Sequence, residues 1–231
     1  MDSVYELLTQ RALEAHASRP RSARGPPTII ALAGPPGSGK STVAARIAKR
    51  LTARSIPSAV VPMDGFHLSR AQLDALPNRE EAYARRGIHW TFDSAGVVAA
   101  VRQLVRERQA DDIDAILLPG FDHAEKDPVA GAVRVEAETE VLILEGNWLL
   151  FDEAPWDEIA RLAHETWFID VHPELAKGRI ARRHIHSGIE HTWEDAVRRA
   201  ESNDLPNGDE IRRRLIKPDV IVESVEEVSI R

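Results

Sequence analysis

A glycine-rich segment that begins at residue 34 has the residue types and spacing of a phosphate-binding loop. Residues 34–41 read GPPGSGKS and fit the pattern GxxxxGK[ST]. In such a loop the glycines let backbone N–H groups turn towards phosphate oxygens, Lys40 reaches the β- and γ-phosphates, and the Ser41 hydroxyl ligates Mg²⁺. The predicted nucleotide-binding residues of the loop are Gly34, Pro35, Pro36, Gly37, Ser38, Gly39, Lys40, Ser41 and Thr42.

Two carboxylates follow apolar runs at positions where parallel strands would end. Asp64 comes directly after SAVVPM, and Glu145 ends the run VLILE. Open α/β sheets bind their ligands at the carboxyl ends of the strands, which favours a role for both residues. Asp64 can take the proton of an attacking hydroxyl, although an Asp-Gly pair is also a common turn. Glu145 can orient Mg²⁺, although it can also be an exposed strand end; the predicted metal site is Ser41, Glu145 and Asp64.

A run of basic residues at 177–186, KGRIARRHIH, is the candidate source of cations. On a helix, Arg179, Arg182, Arg183 and His186 share one face because they are spaced by three and four residues. Such a stripe can close over a nucleotide as a lid, or it can be an ordinary solvated charged face. The phosphate-binding loop favours the lid, which we place at about residues 173–191.

The remaining motifs narrow the class of nucleotide-binding protein. Guanine-specific GTPases carry an NKxD-type motif and transporter ATPases an LSGGQ-like signature, and the sequence contains neither. A helicase is expected to be larger and more basic than this chain. A small-molecule kinase is the class that needs a base for the acceptor hydroxyl, a second carboxylate near magnesium and cations around the transferred phosphoryl group.

Taken together, these motifs resemble the phosphoribulokinase/uridine kinase family of P-loop kinases, which includes bacterial pantothenate kinase. Within it the sequence looks most like the bacterial branch of fructose-transport-system kinases and uridine-kinase-like proteins. The resemblance runs from Ile29 to Ile221. It is carried by GPPGSGKST, MDGFHLS (63–69), RRGIHWTFD (85–93), PGFDHAEKDPV (119–129), LILEGNWLL (142–150), RIARRHIHSG (179–188) and RAESNDLPN (199–207).

The resemblance implies a role for each matching residue. It implies that Asp64 is the catalytic aspartate, that Glu145 is the acidic residue near magnesium, and that Arg179 and Arg183 are lid arginines that touch phosphates. Lys40, Asp64, Arg179 and Arg183 are thus the predicted catalytic residues, and Arg179 joins the nucleotide-binding set. The predicted acceptor-binding residues lie in the matching substrate segments: His67, Arg86, Trp90, Phe121, Asp122 and Asp127.

Several side chains in these segments have two readings. Phe121 stands where the family has a tyrosine, which argues against a uridine-type acceptor. Arg86 holds a carboxylate or another polar group of the substrate, or it is a surface arginine; Trp90 and Phe92 stack on a ring or belong to the core. Asn203 and Asp204 bind at the site or cap a helix. His184, His186 and His191 are predicted to be lid and surface residues, and Trp148, Trp156, Trp167 and Trp193 are predicted to pack.

Hydrophobic periodicity predicts the elements that position these residues. Strands alternate with helices, which indicates an α/β fold of the P-loop NTPase type: a doubly wound, mainly parallel sheet with helices on both faces and an arginine-rich lid. Residues 1–27 are predicted to be a helix and a linker, and residues 28–231 the kinase domain. The predicted strands are Thr28–Ala33, Ser58–Met63, Asp114–Leu118, Val141–Leu144, Thr166–Val171 and Asp219–Val222; the predicted helices include Val4–Ala17, residues 41–54 and Ser94–Arg108. Ser94 is the expected N-cap, Val133–Ala137 is expected to pair with Val141–Leu144 as a hairpin, and residues 64–93 are expected to be irregular.

Composition bounds the environment and the partners. The 231 residues include no cysteine, which excludes disulfides, thiolate nucleophiles and cysteine-based zinc sites. A net charge of −7 argues against nucleic-acid binding, and the sequence has no apolar run of the length that spans a membrane and no apolar signal segment. We therefore expect a cytoplasmic protein, monomeric or homodimeric, whose partner is a small-molecule substrate.

The resulting prediction is an ATP-dependent, Mg²⁺-dependent kinase that phosphorylates a hydroxyl of a sugar or a related metabolite. A nucleoside or pantothenate is the alternative acceptor. A nucleotide hydrolase and an ATP-binding regulatory module with slow hydrolysis are alternatives from other classes.

Overall fold

The computed structural model describes residues 2–19, 25–106, 115–122 and 124–226, and within them strands and helices alternate along the chain. The strands are β1 (Thr28–Ala33), β2 (Ser58–Pro62), β3 (Ala115–Asp122), β4 (Asp127–Glu136), β5 (Val141–Gly146), β6 (Glu165–Val171) and β7 (Val220–Ser224). The helices are α1 (Asp2–Ala17), α2 (Lys40–Thr52), α3 (Arg70–Asp74), α4 (Arg79–Ala84), α5 (Ser94–Arg106), α6 (Asp157–Leu162), α7 (Pro173–His186), α8 (Trp193–Arg199) and α9 (Leu205–Arg213). A five-residue π-helical segment, Ala200–Asp204, joins α8 to α9.

Five of the strands form one parallel sheet in the order β2-β5-β1-β6-β7. The central strand β1 lies between β5 and β6, and β5 lies between β1 and β2. All five strands end at the same edge, so the loops that follow them converge there. The sequence-based prediction of a doubly wound parallel sheet is confirmed.

The apolar run in β1 is buried on both faces of the sheet. Ile29, Ala31 and Ala33 belong to one core cluster, whereas Ile30 and Leu32 belong to a second. The first cluster includes side chains from α5 and α6, and the second includes side chains from α1 and α2. Because helices cover both faces, the strand has no solvated side, and its sequence is apolar without alternation.

One of the two edge strands ends in a proline, a residue that a central strand does not tolerate. Pro62 ends β2, which is an edge strand and pairs with β5 alone among the described strands. A proline there costs no ladder hydrogen bond. The strand predicted at Asp219–Val222 is observed as Val220–Ser224, at the opposite edge beside β6.

The predicted hairpin between Val133–Ala137 and Val141–Leu144 is wrong. Most of the first segment lies in β4, which pairs antiparallel with β3 to form a separate two-stranded sheet. The physical reason is that β5 has no free edge, since β1 and β2 occupy both of its sides. The strand expected near Asp114–Leu118 therefore belongs to this hairpin and not to the parallel sheet; Asp114 itself lies outside the described residues.

Two other expectations about local structure need correction. The Asp93 carboxylate accepts a hydrogen bond from the N–H of Gly96 (2.8 Å), so Asp93, and not Ser94, caps the start of α5. The segment 64–93 is less irregular than expected because it contains α3 and α4. A capping box formed by Ser69 and Gln72 starts α3. The predicted end of α5 at 107–108 lies outside the described residues.

The first helix packs on the nucleotide-binding half of the sheet. Tyr5, Leu8 and Ala12 are buried in the same cluster as Ile30 and Leu32 of β1. We therefore propose that α1 folds as part of the kinase domain and is not a separate appendage. None of the described helices combines the length and the apolar composition that crossing a membrane requires.

Candidate active site

The phosphate-binding loop connects β1 to α2, as predicted. Gly37 and Gly39 have φ values of 78° and 84°, a region that L-residues with a Cβ rarely adopt. A Cβ at Gly34 would lie 2.5 Å from the carbonyl oxygen of Ile169, so this position also has no room for a side chain. The helix α2 begins at Lys40, and its N-terminal N–H groups add a partial positive charge to the loop.

Lys40 lies within electrostatic reach of Glu145 and Asp64, the two carboxylates that the sequence singled out. Burial lowers the pKa of its ammonium group, and the negative charges of Glu145 and Asp64 act in the opposite direction. The positive charge of Arg183 adds to the lowering, and the negative charge of Asp204 opposes it. Charged residues from four other segments of the chain thus act on Lys40. We call this group the Lys40 cluster; its members are Lys40, Asp64, Glu145, Arg183 and Asp204.

Glu145 lies in the middle of this cluster because of its register in β5. It is opposite Leu32 of β1 on one side and Pro62 of β2 on the other. Its side chain is buried, and burial raises the pKa of the carboxyl, with the Lys40 ammonium acting against that shift. The Ser41 hydroxyl donates to both carboxylate oxygens, each at 3.1 Å.

Asp64 lies in a single 3₁₀ turn, Met63–Phe66, directly after β2. Its charge acts on both Lys40 and Glu145. The carbonyl oxygen of Asp64 is 2.9 Å from Nδ1 of His67, which must be the donor in this contact. This contact stabilises the turn that carries Asp64.

The three predicted metal-site residues fit Mg²⁺. Ser41, Glu145 and Asp64 supply oxygen donors alone, which is the donor set that this hard cation prefers. The Ser41 hydroxyl already contacts Glu145, and Asp64 and Glu145 interact electrostatically. A divalent cation among them would offset the cost of two carboxylates close together.

The two predicted lid arginines on α7 have different surroundings. Arg183 is exposed, its guanidinium is 4.0 Å from Asp204, and its charge acts on Lys40 and Glu145. Arg179 instead donates from Nη1 to the Gly37 carbonyl oxygen (3.1 Å) and to the Ser224 hydroxyl (2.9 Å). Its Nη2 donates to the carbonyl oxygen of Val225.

This difference separates their roles. The Arg179 side chain holds the phosphate-binding loop against the end of β7, so its donors are directed at protein carbonyl and hydroxyl groups. Arg183 has an exposed guanidinium whose charge reaches the Lys40 cluster. We propose Arg183 as the arginine that contacts the transferred phosphate and Arg179 as a residue that positions the loop.

Four of the six predicted acceptor-binding residues form one group beside Asp64. The His67 ring packs on Phe121, with ring centroids 4.8 Å apart, and on Phe92 at 4.0 Å. The guanidinium of Arg86 lies 5.6 Å from the centre of the Phe121 ring, and Asp127 is 3.7 Å from Arg86. The structure thus brings His67, Arg86, Phe121 and Asp127 together, and their role in acceptor binding stays a prediction.

The polar members of this group have structural contacts of their own. Arg86 donates to the carbonyl oxygens of Lys126 (2.7 Å) and Leu68 (3.0 Å), and so joins the β3–β4 hairpin to the loop after β2. Asp127 accepts from the N–H of Arg70 at the start of α3. Asp122 accepts from the N–H groups of Ala124 and Glu125 and stabilises the hairpin turn. Arg86 is accordingly not a plain surface arginine.

The aromatic residues divide between site and core. Phe92 is 5% exposed and belongs to the core cluster, against which Trp90 packs while partly buried. Trp148, Trp156 and Trp167 are buried, as predicted, but Trp193 is 45% exposed, so its assignment to packing is wrong. Trp193 is the first residue of α8, a position at the edge of the molecule.

Sequence reasoning missed a buried pair beneath the lid. Nε2 of His184 lies 3.5 Å from Asp204, and His184 is 4% exposed, so the prediction of a surface histidine is wrong for this residue. Burial raises the pKa of Asp204 and lowers that of His184. Asp204 makes no side-chain capping bond to α9, which excludes the capping alternative for it. Its side chain joins the lid to the Lys40 cluster instead.

Comparison with known proteins identifies the family of this chain. The model of the phosphoribulokinase/uridine kinase family matches residues 29–231. The chain belongs to the phosphoribulokinase/uridine kinase family. It is therefore a P-loop kinase, a phosphotransferase by family, and the resemblance recognised from its motifs is confirmed.

Individual relatives match over nearly their whole length. A candidate uridine kinase of Schizosaccharomyces pombe is 36% identical over 225 residues, which cover 96% of this chain and 92% of that protein. The crystal structure of a candidate fructose transport system kinase from Silicibacter sp. superposes with a TM-score of 0.80 at 32% identity, covering 94% of this chain and 98% of that one. The crystal structure of YFH7 from Saccharomyces cerevisiae is described as that of a candidate P-loop kinase with a circular permutation. It superposes with a TM-score of 0.81 at 25% identity, covering 97% of this chain and 99% of that one.

Proposed function

We propose that this kinase transfers the γ-phosphoryl group of ATP to a hydroxyl group of a sugar or related polyol. The observation that carries the proposal is the meeting of Lys40, Asp64 and Glu145 at the carboxyl ends of β1, β2 and β5. A nucleotide-binding module without chemistry has no need of Asp64 beside the phosphate-binding lysine. A similar chain from Silicibacter sp. is described as a candidate fructose transport system kinase, which supports a sugar as the acceptor.

The proposed reaction is an in-line displacement at the γ-phosphorus. The acceptor oxygen forms a bond to phosphorus while the bond to the bridging oxygen of ADP breaks, and the acceptor proton passes to the Asp64 carboxylate. Lys40, the N–H groups of the loop and Arg183 stabilise the negative charge on the transferred group. Bound Mg²⁺ would neutralise phosphate charge, held through Ser41, Glu145 and Asp64. Closure of α7 would exclude water and limit wasteful hydrolysis.

A nucleoside is the second candidate acceptor. The observation that favours it is the similarity to a protein of Schizosaccharomyces pombe described as a candidate uridine kinase. The neighbouring rings of His67 and Phe121 are also groups on which a base can stack. A pantothenate-like acid is a third candidate, and its carboxylate would need a cation at the acceptor side.

The deciding experiment measures ADP release from ATP and Mg²⁺ with a panel of sugars, polyols, nucleosides and pantothenate. We expect one acceptor class to stimulate the rate, and Asp64→Asn to lower the stimulated rate by about 10²–10⁴-fold, the usual contribution of a general base. This variant should still bind ATP in the absence of Mg²⁺, because the phosphate-binding loop is unchanged. The matched control is Asp152→Asn, which changes an exposed aspartate outside the site.

Two results would contradict the proposal. ADP release at the full rate without any acceptor would indicate a nucleotide hydrolase. A rate that no acceptor changes and that Asp64→Asn leaves intact would indicate an ATP-binding regulatory module.

A further inference from the structure

Arg86 and Gly87 belong to a segment that we call the acceptor loop. Two asparagine side chains near this loop are buried, and each has an amide oxygen without a hydrogen-bond partner among the described residues. Asn203 is 6% exposed and Asn207 is 2% exposed. The Oδ1 atom of each has no hydrogen-bond partner among the described residues. Buried polar atoms in native proteins are nearly always paired, so two orphaned acceptors in one helical segment indicate a partner that is not protein.

Both amides face the same short stretch of the acceptor loop. Nδ2 of Asn203 donates to the carbonyl oxygen of Arg86 (3.1 Å), and Nδ2 of Asn207 lies 4.0 Å from the position of a Cβ at Gly87. The Asn203 orientation is fixed, because a reversed amide would set its oxygen against the Arg86 carbonyl. On the other side, Nε1 of Trp148 donates to the Gly87 carbonyl oxygen (2.9 Å).

The same helical segment also borders the point of phosphoryl transfer. Asp204, which follows Asn203, acts by charge on Lys40. Gly208, which follows Asn207, packs on Pro35 of the phosphate-binding loop, with 3.2 Å from its Cβ position to the proline Cβ. Asn203 lies in the π-helical segment and Asn207 in α9, and the contacts of their amide nitrogens bring both side chains to Arg86 and Gly87. They lie between the nucleotide loop and the loop that carries Arg86 and Gly87.

The residue types indicate the chemistry of the group that would fill this place. A side-chain amide offers a donor and an acceptor, which suits a hydroxyl that both donates and accepts. A carboxylate would call for a free cation, but both terminal nitrogens of Arg86 bond backbone carbonyls and its charge faces Asp127, so that only its buried Nε, like that of Arg85, is left without a partner among the described residues. The charge of the neighbouring Arg85 acts on His89, which packs against Trp148 and Phe151.

We infer that Asn203 and Asn207 form the acceptor-recognition wall of this kinase and that the acceptor is a neutral polyhydroxy compound, a sugar or polyol. The inference rests on the proposed function and narrows it, because it assigns the specificity to two uncharged amides. Carboxylated acceptors such as glycerate or pantothenate are disfavoured, since no amide replaces a cation for a carboxylate.

A binding experiment tests the wall without relying on turnover. The melting temperature of the protein is measured with Mg²⁺ and a non-hydrolysable ATP analogue, alone and with fructose, glucose, ribose, xylitol, D-glycerate or pantothenate. We expect at least one neutral compound to raise the melting temperature and neither carboxylate to do so. A rise with a carboxylate alone, or no rise with any neutral compound, overturns the inference.

Variants then test the two residues. Asn207→Ala, and separately Asn203→Ser, should raise KM for the neutral acceptor on the order of tenfold, with KM for ATP changed less than threefold, because each loses hydrogen bonds to the acceptor. Asn78→Ala is the control, since Asn78 is exposed and bonds Glu81. Unchanged KM for the acceptor in folded Asn207→Ala overturns the assignment. Sugar binding without sugar-stimulated ADP release would instead refute the kinase proposal and leave the wall intact.

Discussion

At the scale of single residues, burial and charge act against each other around Lys40 and Glu145. Burial shifts the pKa of each towards its neutral form, and the opposite charge of the partner limits both shifts. Opposite charges that are buried near each other contribute little to stability, because desolvation offsets most of the attraction. The arrangement favours catalysis instead. The charges are in position before the nucleotide binds, so the site does not have to reorganise during phosphoryl transfer.

The two lid arginines permit a sharp test at this scale. Arg183→Ala should lower kcat about a hundredfold with little change in thermal stability, because its exposed guanidinium acts on the phosphoryl group and hardly on packing. Arg179→Ala should instead raise KM for ATP, because the loop loses its tie to Ser224 and Val225. Steady-state kinetics of both variants at saturating acceptor separates these effects. Equal losses of kcat in the two would contradict the division of roles.

Residues at strand ends were predictable, whereas residues joined across helices were not. Asp64 and Glu145 follow apolar runs, and a parallel sheet brings such positions together. Arg179 and Arg183 share a helical face, so spacing could not tell that one contacts Gly37 and the other faces Asp204. The pairing of His184 with Asp204 spans twenty positions and a π-helical segment, for which the sequence has no periodic signal.

At the scale of elements, the turn that carries Asp64 is pressed against the β3–β4 hairpin. A Cβ at Gly65 would collide with the carbonyl oxygen of Pro119, so this glycine is needed for the close approach of two backbones. The hairpin was predicted in the wrong place because two neighbouring segments of strand-like sequence suggested a short local pairing. Which edge is free depends on the whole sheet, and a local pattern does not record it.

We predict that Gly65→Ala pushes the turn away from the hairpin and displaces Asp64. The expected cost is about 1–3 kcal/mol of unfolding free energy, as for other overpacked sites, together with a loss of kcat and an unchanged affinity for ATP. Urea unfolding and steady-state kinetics measure the two effects.

A matched control is Gly178→Ala in the middle of α7. There the new Cβ would be 3.8 Å from the Arg182 guanidinium, which is ordinary contact. It should stabilise the helix by about 0.5–1 kcal/mol, the helix-interior difference between alanine and glycine. If Gly65→Ala, like this control, caused no loss of unfolding free energy or of kcat, the close approach of the turn to Pro119 would not matter for activity.

At the scale of the whole molecule, the sequence predicted the layers better than the details. Unbroken apolar runs indicated strands covered on both faces, and helical spacing indicated the covering helices, so the parallel sheet followed. The acceptor side was less predictable, because its residues come from the loop after β2, the hairpin and the π-helical segment. Such a site depends on tertiary contacts such as the bond from Asn203 to the Arg86 carbonyl.

The loss of stability at low pH is also a property of the whole fold. Burial lowers the pKa of His89 from 6.5, with Glu153 acting in the opposite direction, so the unfolded chain binds this proton first on acidification. The contribution is complete above pH 6.5 and is lost as the pH falls through 6.5 towards the folded pKa.

We therefore expect the urea concentration at the midpoint of unfolding to decrease as the pH is lowered from about 7.5 to about 5.5. The substitution His89→Phe keeps the aromatic packing and should make this decrease smaller. The control His191→Gln, at an exposed position, should leave the fall unchanged. An identical pH dependence in His89→Phe and the parent protein would show that other groups govern the acid limit.

The Arg179 contacts also bear on the order in which the protein is made. The Gly37 carbonyl of the phosphate-binding loop is held, through Arg179, to Ser224 and Val225, which a ribosome adds long after the loop has left the exit tunnel. A nascent chain that ends before these residues can form β1 and α2 but lacks the last strand that fixes the loop. The ability to hold a nucleotide tightly should therefore appear late in synthesis, when the final strand joins the sheet beside β6.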